Sequence, residues 1–305
     1  MTAVPAWRVQ RERGSGVLMR LIVTMSLKLG RPLGCALLYP ISAYFLLFSG
    51  SARAASSDYL RRILGRTARW RELFHHYHCF ARQIHDRVYL LAGDIARFEC
   101  AIEGLNILEE ALASRRGVVL LGAHVGSFEI MRVLALARFP VKVRVLMYEP
   151  NAEKLAGALG GLNPDLPGQI IALGRPEAML EVREAAERGE VVSILGDRVI
   201  GGDRVRRCRF LGQTASFPEG PFVLAAALRA PIVLFSALRD DDGRYRIRFE
   251  PFTERIDVAR SEREGALQRA CQHYANWLEA RCREAPYNWF NFYDFWSDSA
   301  SAPES

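Results

Sequence analysis

The stretch that most limits what this chain can fold into is Gly117-Val118-Val119-Leu120-Leu121-Gly122-Ala123. It is apolar at every position and bounded by a turn, so alternate residues do not separate a wet face from a dry one. A strand of this kind has to be covered on both sides, which happens in parallel or mixed sheets packed between layers of helix. Further strand candidates lie at 141–147, 169–173, 191–195, 231–238 and 245–250, separated by helical patterns at 177–188 and 219–228. The expected fold class is therefore α/β: a mixed, largely parallel central sheet flanked by helices. A further helix over 263–283 places Leu267, Ala270, Cys271, Tyr274, Trp277 and Leu278 on one stripe, as for a helix laid on that sheet.

Ahead of the α/β texture lies a different one. Residues 1–15 read as a basic tail, and 16–55 as an apolar membrane-associating segment within which 32–52 carry no charge. Pro40 falls in the middle of the uncharged run, which argues against a clean single span and leaves a span or a shallow insertion open. Basic residues stand on both sides, so they set no orientation. No compact apolar run with a small-residue cleavage site marks a secretory leader. A globular domain is expected over 56–296, with 297–305 a disordered tail.

Composition narrows the partners. A chain of 305 residues buries a sizeable core without a metal or disulfide staple. The net charge of +7 comes from arginine, with Lys28, Lys142 and Lys154 the only lysines, and predicts an anionic partner. No nucleic-acid module accompanies it, so an anionic membrane surface is expected and nucleic acid is not. The six cysteines form no Cys-x-x-Cys pair and read as reduced thiols of a cytoplasmic domain. Between 74 and 85 the chain carries His75, His76, His78 and His85 with Cys79; packing beside aromatic neighbours is favoured over a metal site, and none is expected. The ending Tyr287-Asn288-Trp289-Phe290-Asn291-Phe292-Tyr293-Asp294-Phe295-Trp296 is either a packed closing segment or a contact with lipid headgroups.

Chemistry enters directly after the first buried strand, at His124-Val125-Gly126-Ser127-Phe128-Glu129. Five positions on one regular helix would point the histidine and the glutamate apart. The spacing works if His124 lies in a strand-to-helix turn, with Gly126 permitting the bend, Ser127 capping the helix and Glu129 reaching back to the imidazole. A carboxylate on one ring nitrogen makes the other a base for a hydroxyl. Ser127 lacks the Gly-x-Ser-x-Gly elbow, so a serine nucleophile there is disfavoured.

The segment GVVLLGAHVGSFE resembles the first block of the lysophospholipid acyltransferase superfamily, and with GEVVSILGDR it resembles the bacterial lipid A biosynthesis acyltransferase branch. RFLGQTASFPEGPFVLAAALRAPIVLFSALRDDDGRYRIRFEPF and HYANWLEARCREAPYNWFNFYDFW are similar to that branch's central and terminal blocks. The resemblance implies transfer of a fatty acyl chain from a thioester, acyl-ACP or acyl-CoA, to a hydroxyl of a lipid or glycolipid acceptor at the cytoplasmic face of the inner membrane, without a cofactor. It assigns His124 as general base, Glu129 as its partner, and Asp197 as a second catalytic acid. Gly126, Ser127, Arg198, Arg204, Phe217 and Glu219 are the candidates for substrate contact, with Arg198, Arg204, Arg206, Arg207 and Arg209 read as a basic loop after a strand. Arg198 stands where relatives more often carry glutamine, and 151–169 lack an expected arginine. Those departures keep a specialised acceptor, such as an aryl polyene or ornithine lipid, in view beside lipid A. A non-catalytic membrane scaffold is the alternative from another class.

Overall fold

A computed structural model describes residues 30–114, 116–138, 141–148, 166–199, 202–254, 256 and 258–297. The tails expected at 1–15 and 298–305, the apolar residues before 30 and most of 151–169 lie outside them.

Val118–Gly122 forms β2, buried at all five positions, and it sits near the middle of a seven-stranded sheet ordered β1-β9-β8-β2-β5-β3-β4. The other strands are β1 (Cys100–Glu103), β3 (Val143–Tyr148), β4 (Ile170–Leu173), β5 (Val191–Leu195), β8 (Ile232–Arg239) and β9 (Tyr245–Pro251). β8, β2, β5, β3 and β4 run parallel; β9 is antiparallel to β8 and carries β1 parallel to itself. The fold is thus mixed α/β, largely parallel, with helices on both faces, as the double-sided burial of β2 requires.

The expected helices form as α6 (Ala178–Glu187), α7 (Gly220–Leu228) and α8 (Arg263–Glu284). α8 buries Leu267, Ala270, Cys271, Tyr274, Trp277 and Leu278 in the main core. Ahead of β2 come α2 (Gly50–Leu64), α3 (Trp70–Leu91) and α4 (Leu105–Ala113), with β1 between the last two, its four residues alternating too briefly to announce a strand. One part of the basic loop expected from the sequence is corrected. The arginines from 206 to 209 lie in a strand, not a loop. β6 (Val205–Phe210) pairs antiparallel with β7 (Gln213–Pro218), its arginines exposed or half-buried while Cys208 and Phe210 are buried in the core. Leu211 at φ 48 and Gly212 at φ 81 make the two-residue turn between them.

The uncharged segment forms α1 (Arg31–Phe48), with Pro40 inside it. Gly34, Leu38, Ser42 and Leu46 recur every fourth position and face α3. Gly34 is needed at the crossing, since a Cβ there would lie 2.3 Å from Nε2 of His85. Arg31 at the start of α1 bonds the buried carboxylate of Asp86 on α3 at 3.0 Å, and Asp86 also accepts from Arg239 and from the Tyr245 hydroxyl. The opposite side of α1 shows Leu33, Leu37, Tyr44, Leu47 and Phe48 to the exterior.

Candidate active site

β2 ends at Gly122, and the chain turns out of the sheet through Ala123 and His124. Gly126 has φ 70, and a Cβ there would lie 2.0 Å from the carbonyl oxygen of Ala237, so only glycine lets the turn lie this close to the end of β8. The Ser127 amide donates to that same Ala237 oxygen at 2.8 Å, and α5 (Phe128–Arg138) begins. This is the carboxyl edge of the parallel strands, where α/β proteins bind ligands.

The second wall comes from β5. Gly196 follows it, its amide donating to the Gly122 oxygen at 2.9 Å, so the residues after β2 and β5 leave the sheet side by side. Asp197 is thereby brought against His124. Its Oδ1 lies 2.8 Å from Nδ1 of the imidazole, and its Oδ2 accepts the His124 amide at 3.0 Å. A carboxylate can only accept, so Nδ1 carries the proton and Nε2 presents the lone pair. The Asp197 side chain is 2% exposed and the imidazole 29% exposed, an anchored acid behind a reachable base. Burial alone would raise the Asp197 pKa, but His124, Arg198 and the Trp289 indole outweigh it and hold the carboxylate at about 2. Burial pushes His124 below its ordinary value, Arg198 adds to that, and Asp197 opposes it.

The acid bonded to His124 is therefore Asp197, and the expected contact from Glu129 is not made. Glu129 lies in the first turn of α5 as anticipated, but buried, its Oε1 taken by the guanidinium of Arg132 one turn on and its Oε2 by Arg87 of α3 at 3.1 Å. Arg132 is itself buried and reaches the Gln169 side chain. The physical reason is the i, i+3 geometry: an arginine three residues ahead on the same helix face meets the glutamate directly, and a buried guanidinium demands a carboxylate more strongly than a neutral imidazole does.

The remaining candidates divide. Arg198 lies beside the pair, donating to the Phe290 oxygen at 3.5 Å and standing over the Tyr293 ring. Arg204 is largely exposed, 3.6 Å from Glu219. Glu219 is buried and bonds Arg206 at 2.7 Å, which ties the β6–β7 hairpin to the start of α7. Phe217 is fully buried among Phe210, Tyr274 and Phe295 and belongs to the core. Gly126 and Ser127 shape the turn through their backbones.

One part of the site was read in the sequence only as an aromatic ending. Residues 288–290 run antiparallel to the His124 loop: the Gly126 amide donates to the Asn288 oxygen at 2.8 Å, and the Phe290 amide to the His124 oxygen at 2.9 Å. The Trp289 indole donates to Asp197 Oδ2 at 2.9 Å. Trp289, Phe290, Phe295 and Trp296 are buried, so these residues are a packed closure and not a headgroup contact. The aromatic density was the available signal; the hydrogen bond to a residue 92 positions away was not in it.

The histidine run is likewise structural. His76 is fully buried, accepting from or donating to the Ser56 hydroxyl at 2.7 Å through Nδ1 and bonding the Trp289 oxygen at 2.8 Å through Nε2. His78 packs against Tyr39 and Phe74, and His85 against Tyr89.

A buried acid and a tautomer-fixed imidazole, to which no nucleophilic side chain is hydrogen-bonded among the described residues, can move a proton to and from an incoming hydroxyl, the chemistry of a direct transfer. No curated protein matches the chain. The family model for bacterial lipid A biosynthesis acyltransferases matches residues 70–297, which include the His124 turn, the Asp197 turn and the aromatic closure, and the chain belongs to that family.

Proposed function

We propose that this acyltransferase moves a fatty acyl chain from a thioester, carried on acyl carrier protein, to a hydroxyl of a lipid or glycolipid acceptor, with His124 as the base and Asp197 as the acid that orients it. The single observation that carries this reading is the 2.8 Å bond from Nδ1 of a partly exposed imidazole to a buried carboxylate. Nε2 takes the acceptor's hydroxyl proton as its oxygen bonds the thioester carbonyl carbon. The tetrahedral centre then collapses, the carbon–sulfur bond breaks, and the imidazolium returns the proton to the departing thiolate. The enzyme ends as it began, with no acyl group on a side chain.

The reading places the reaction at an anionic membrane surface on the cytoplasmic side. α1 is held along α3 by its buried face and by the Arg31–Asp86 bond, so its apolar outer residues suit shallow insertion into one leaflet better than a span. Exposed Arg61, Arg66, Arg69 and Arg71 and exposed Trp70 follow in the next elements, where headgroups would lie. All six cysteines are free, which suits a reducing compartment. Arg198 beside the base suits an acceptor or carrier that brings negative charge.

The test is mass spectrometry of lipids from cells with the wild-type chain, with His124→Ala and with neither. A lipid heavier by one acyl group, present with the wild type and lost with His124→Ala at equal protein level, is expected. The same lipid persisting in the variant contradicts the assignment.

A further inference from the structure

Asp197 can orient His124 only if the carboxylate itself is prevented from turning. Its two oxygens are bonded differently: Oδ1 takes Nδ1 of the imidazole, while Oδ2 takes two donors, the His124 amide and the Trp289 indole. The indole is in turn fixed. Trp289 is fully buried between Tyr59, Phe210, Phe295 and Trp296, its carbonyl is held by His76, and its neighbours on both sides pair with the His124 loop. Asn288 adds a second anchor: its side chain accepts the Arg239 amide at 3.0 Å and donates to the Arg239 oxygen at 3.1 Å, fastening the segment to the end of β8.

We propose that Trp289 is a positioning residue for the transfer reaction, its indole N–H locking Asp197 so that Oδ1 alone faces Nδ1 of His124. This rests on the base assignment made above and goes further, because it gives the terminal closure a part in the chemistry. Deleting the donor leaves more charge on the carboxylate and frees it to turn. The imidazolium then gains a stronger partner, so the His124 pKa rises, while the neutral, tautomer-fixed form that accepts the proton is populated less well. Among the described residues, the charged or titratable groups around the pair are Arg198, which disfavours the imidazolium, Tyr293, whose hydroxyl donates to the Asp197 carbonyl at 3.5 Å, and Tyr274 and Cys282, which stay protonated in their buried sites.

The experiment uses the full chain in detergent with three variants. Trp289→Phe removes the donor. β-(3-Benzothienyl)alanine at the same position removes the N–H while keeping the bicyclic shape, which answers the case in which the phenylalanine variant does not fold. Trp296→Phe removes the same mass from the same aromatic cluster without touching Asp197. His124 is titrated by NMR of ring-labelled histidine, and acyl transfer from an acyl-ACP thioester is followed against pH. In the two position-289 variants the His124 pKa rises by roughly half to one unit, a fraction of what one hydrogen bond to a charge is worth, and kcat falls about tenfold or more with KM nearly unchanged. Trp296→Phe lowers the melting temperature but leaves both readings at wild-type values. An unmoved His124 pKa in the benzothienyl variant, or an equal shift in Trp296→Phe, overturns the proposal. If the chain proves to transfer no acyl group, the NMR titration still decides whether Trp289 sets the pair.

Discussion

His76 is a fully buried imidazole with two fixed partners, whereas the His124 ring is 29% exposed and held at Nδ1 by Asp197. His124 meets a carboxylate and gains a proton-accepting face; His76 meets a hydroxyl and a carbonyl oxygen and is locked neutral. The Trp289 oxygen can only accept, so Nε2 of His76 must carry its proton and Nδ1 must accept from Ser56. Burial is the main cause that lowers its pKa to about 4, opposed by the bond to the Trp289 carbonyl. The unfolded chain protonates near the ordinary histidine value and the folded one does not, so stability is full above that value and is lost as the pH falls toward 4. The loss for this one group is on the order of 3 kcal/mol. The melting temperature measured from pH 7.5 to 4.5 should therefore decline from about pH 6.5 downward, and His76→Gln should flatten that decline while lowering the plateau. A wild-type melting temperature that stays level to pH 4.5 would show that this ring is protonated in the folded protein.

At the scale of elements, α1 shows how far a sequence can be read. The charge-free run after Arg31 announced an apolar segment, and the i, i+4 recurrence of Gly34, Leu38, Ser42 and Leu46 was there to be seen; that this face lies on α3 depended on Asp86, 55 residues from Arg31. β2 and β8 were legible because each is buried on both faces and needs no partner to be recognised. β1 and the β6–β7 hairpin were not, since a short or arginine-bearing strand owes its conformation to pairing and not to its own pattern. The exposed side of α1 gives a test of the proposed membrane contact. Leu47 and Phe48 are 59% and 60% exposed, so replacing both by glutamate costs the fold little. The double variant should keep its melting temperature and lose most of its binding to vesicles of anionic phospholipid in a flotation assay. Undiminished flotation would place the membrane contact elsewhere.

Across the whole molecule, three segments far apart in sequence converge on one imidazole: the turn after β2, the turn after β5 and the closure after α8. The first was legible because a histidine directly after a buried strand has few structural uses. Asp197 was legible as a candidate acid through the family resemblance, but its partnership with His124 follows from β2 and β5 being sheet neighbours in register from Val118–Val191 to Gly122–Leu195, which no spacing along the chain encodes. Glu129 had the right spacing and the wrong neighbour, because Arg132 is closer along the helix and charged. The account stands or falls on which carboxylate serves the base, and the pH dependence of acyl transfer in Asp197→Asn beside Glu129→Gln, each normalised to folded protein, measures that most directly. We expect Asp197→Asn to lose about 10²- to 10⁴-fold in rate, and Glu129→Gln, which breaks the buried pair with Arg132, to melt earlier while keeping the wild-type acid limb. Near-normal transfer by Asp197→Asn, with the limb displaced in Glu129→Gln, would contradict it.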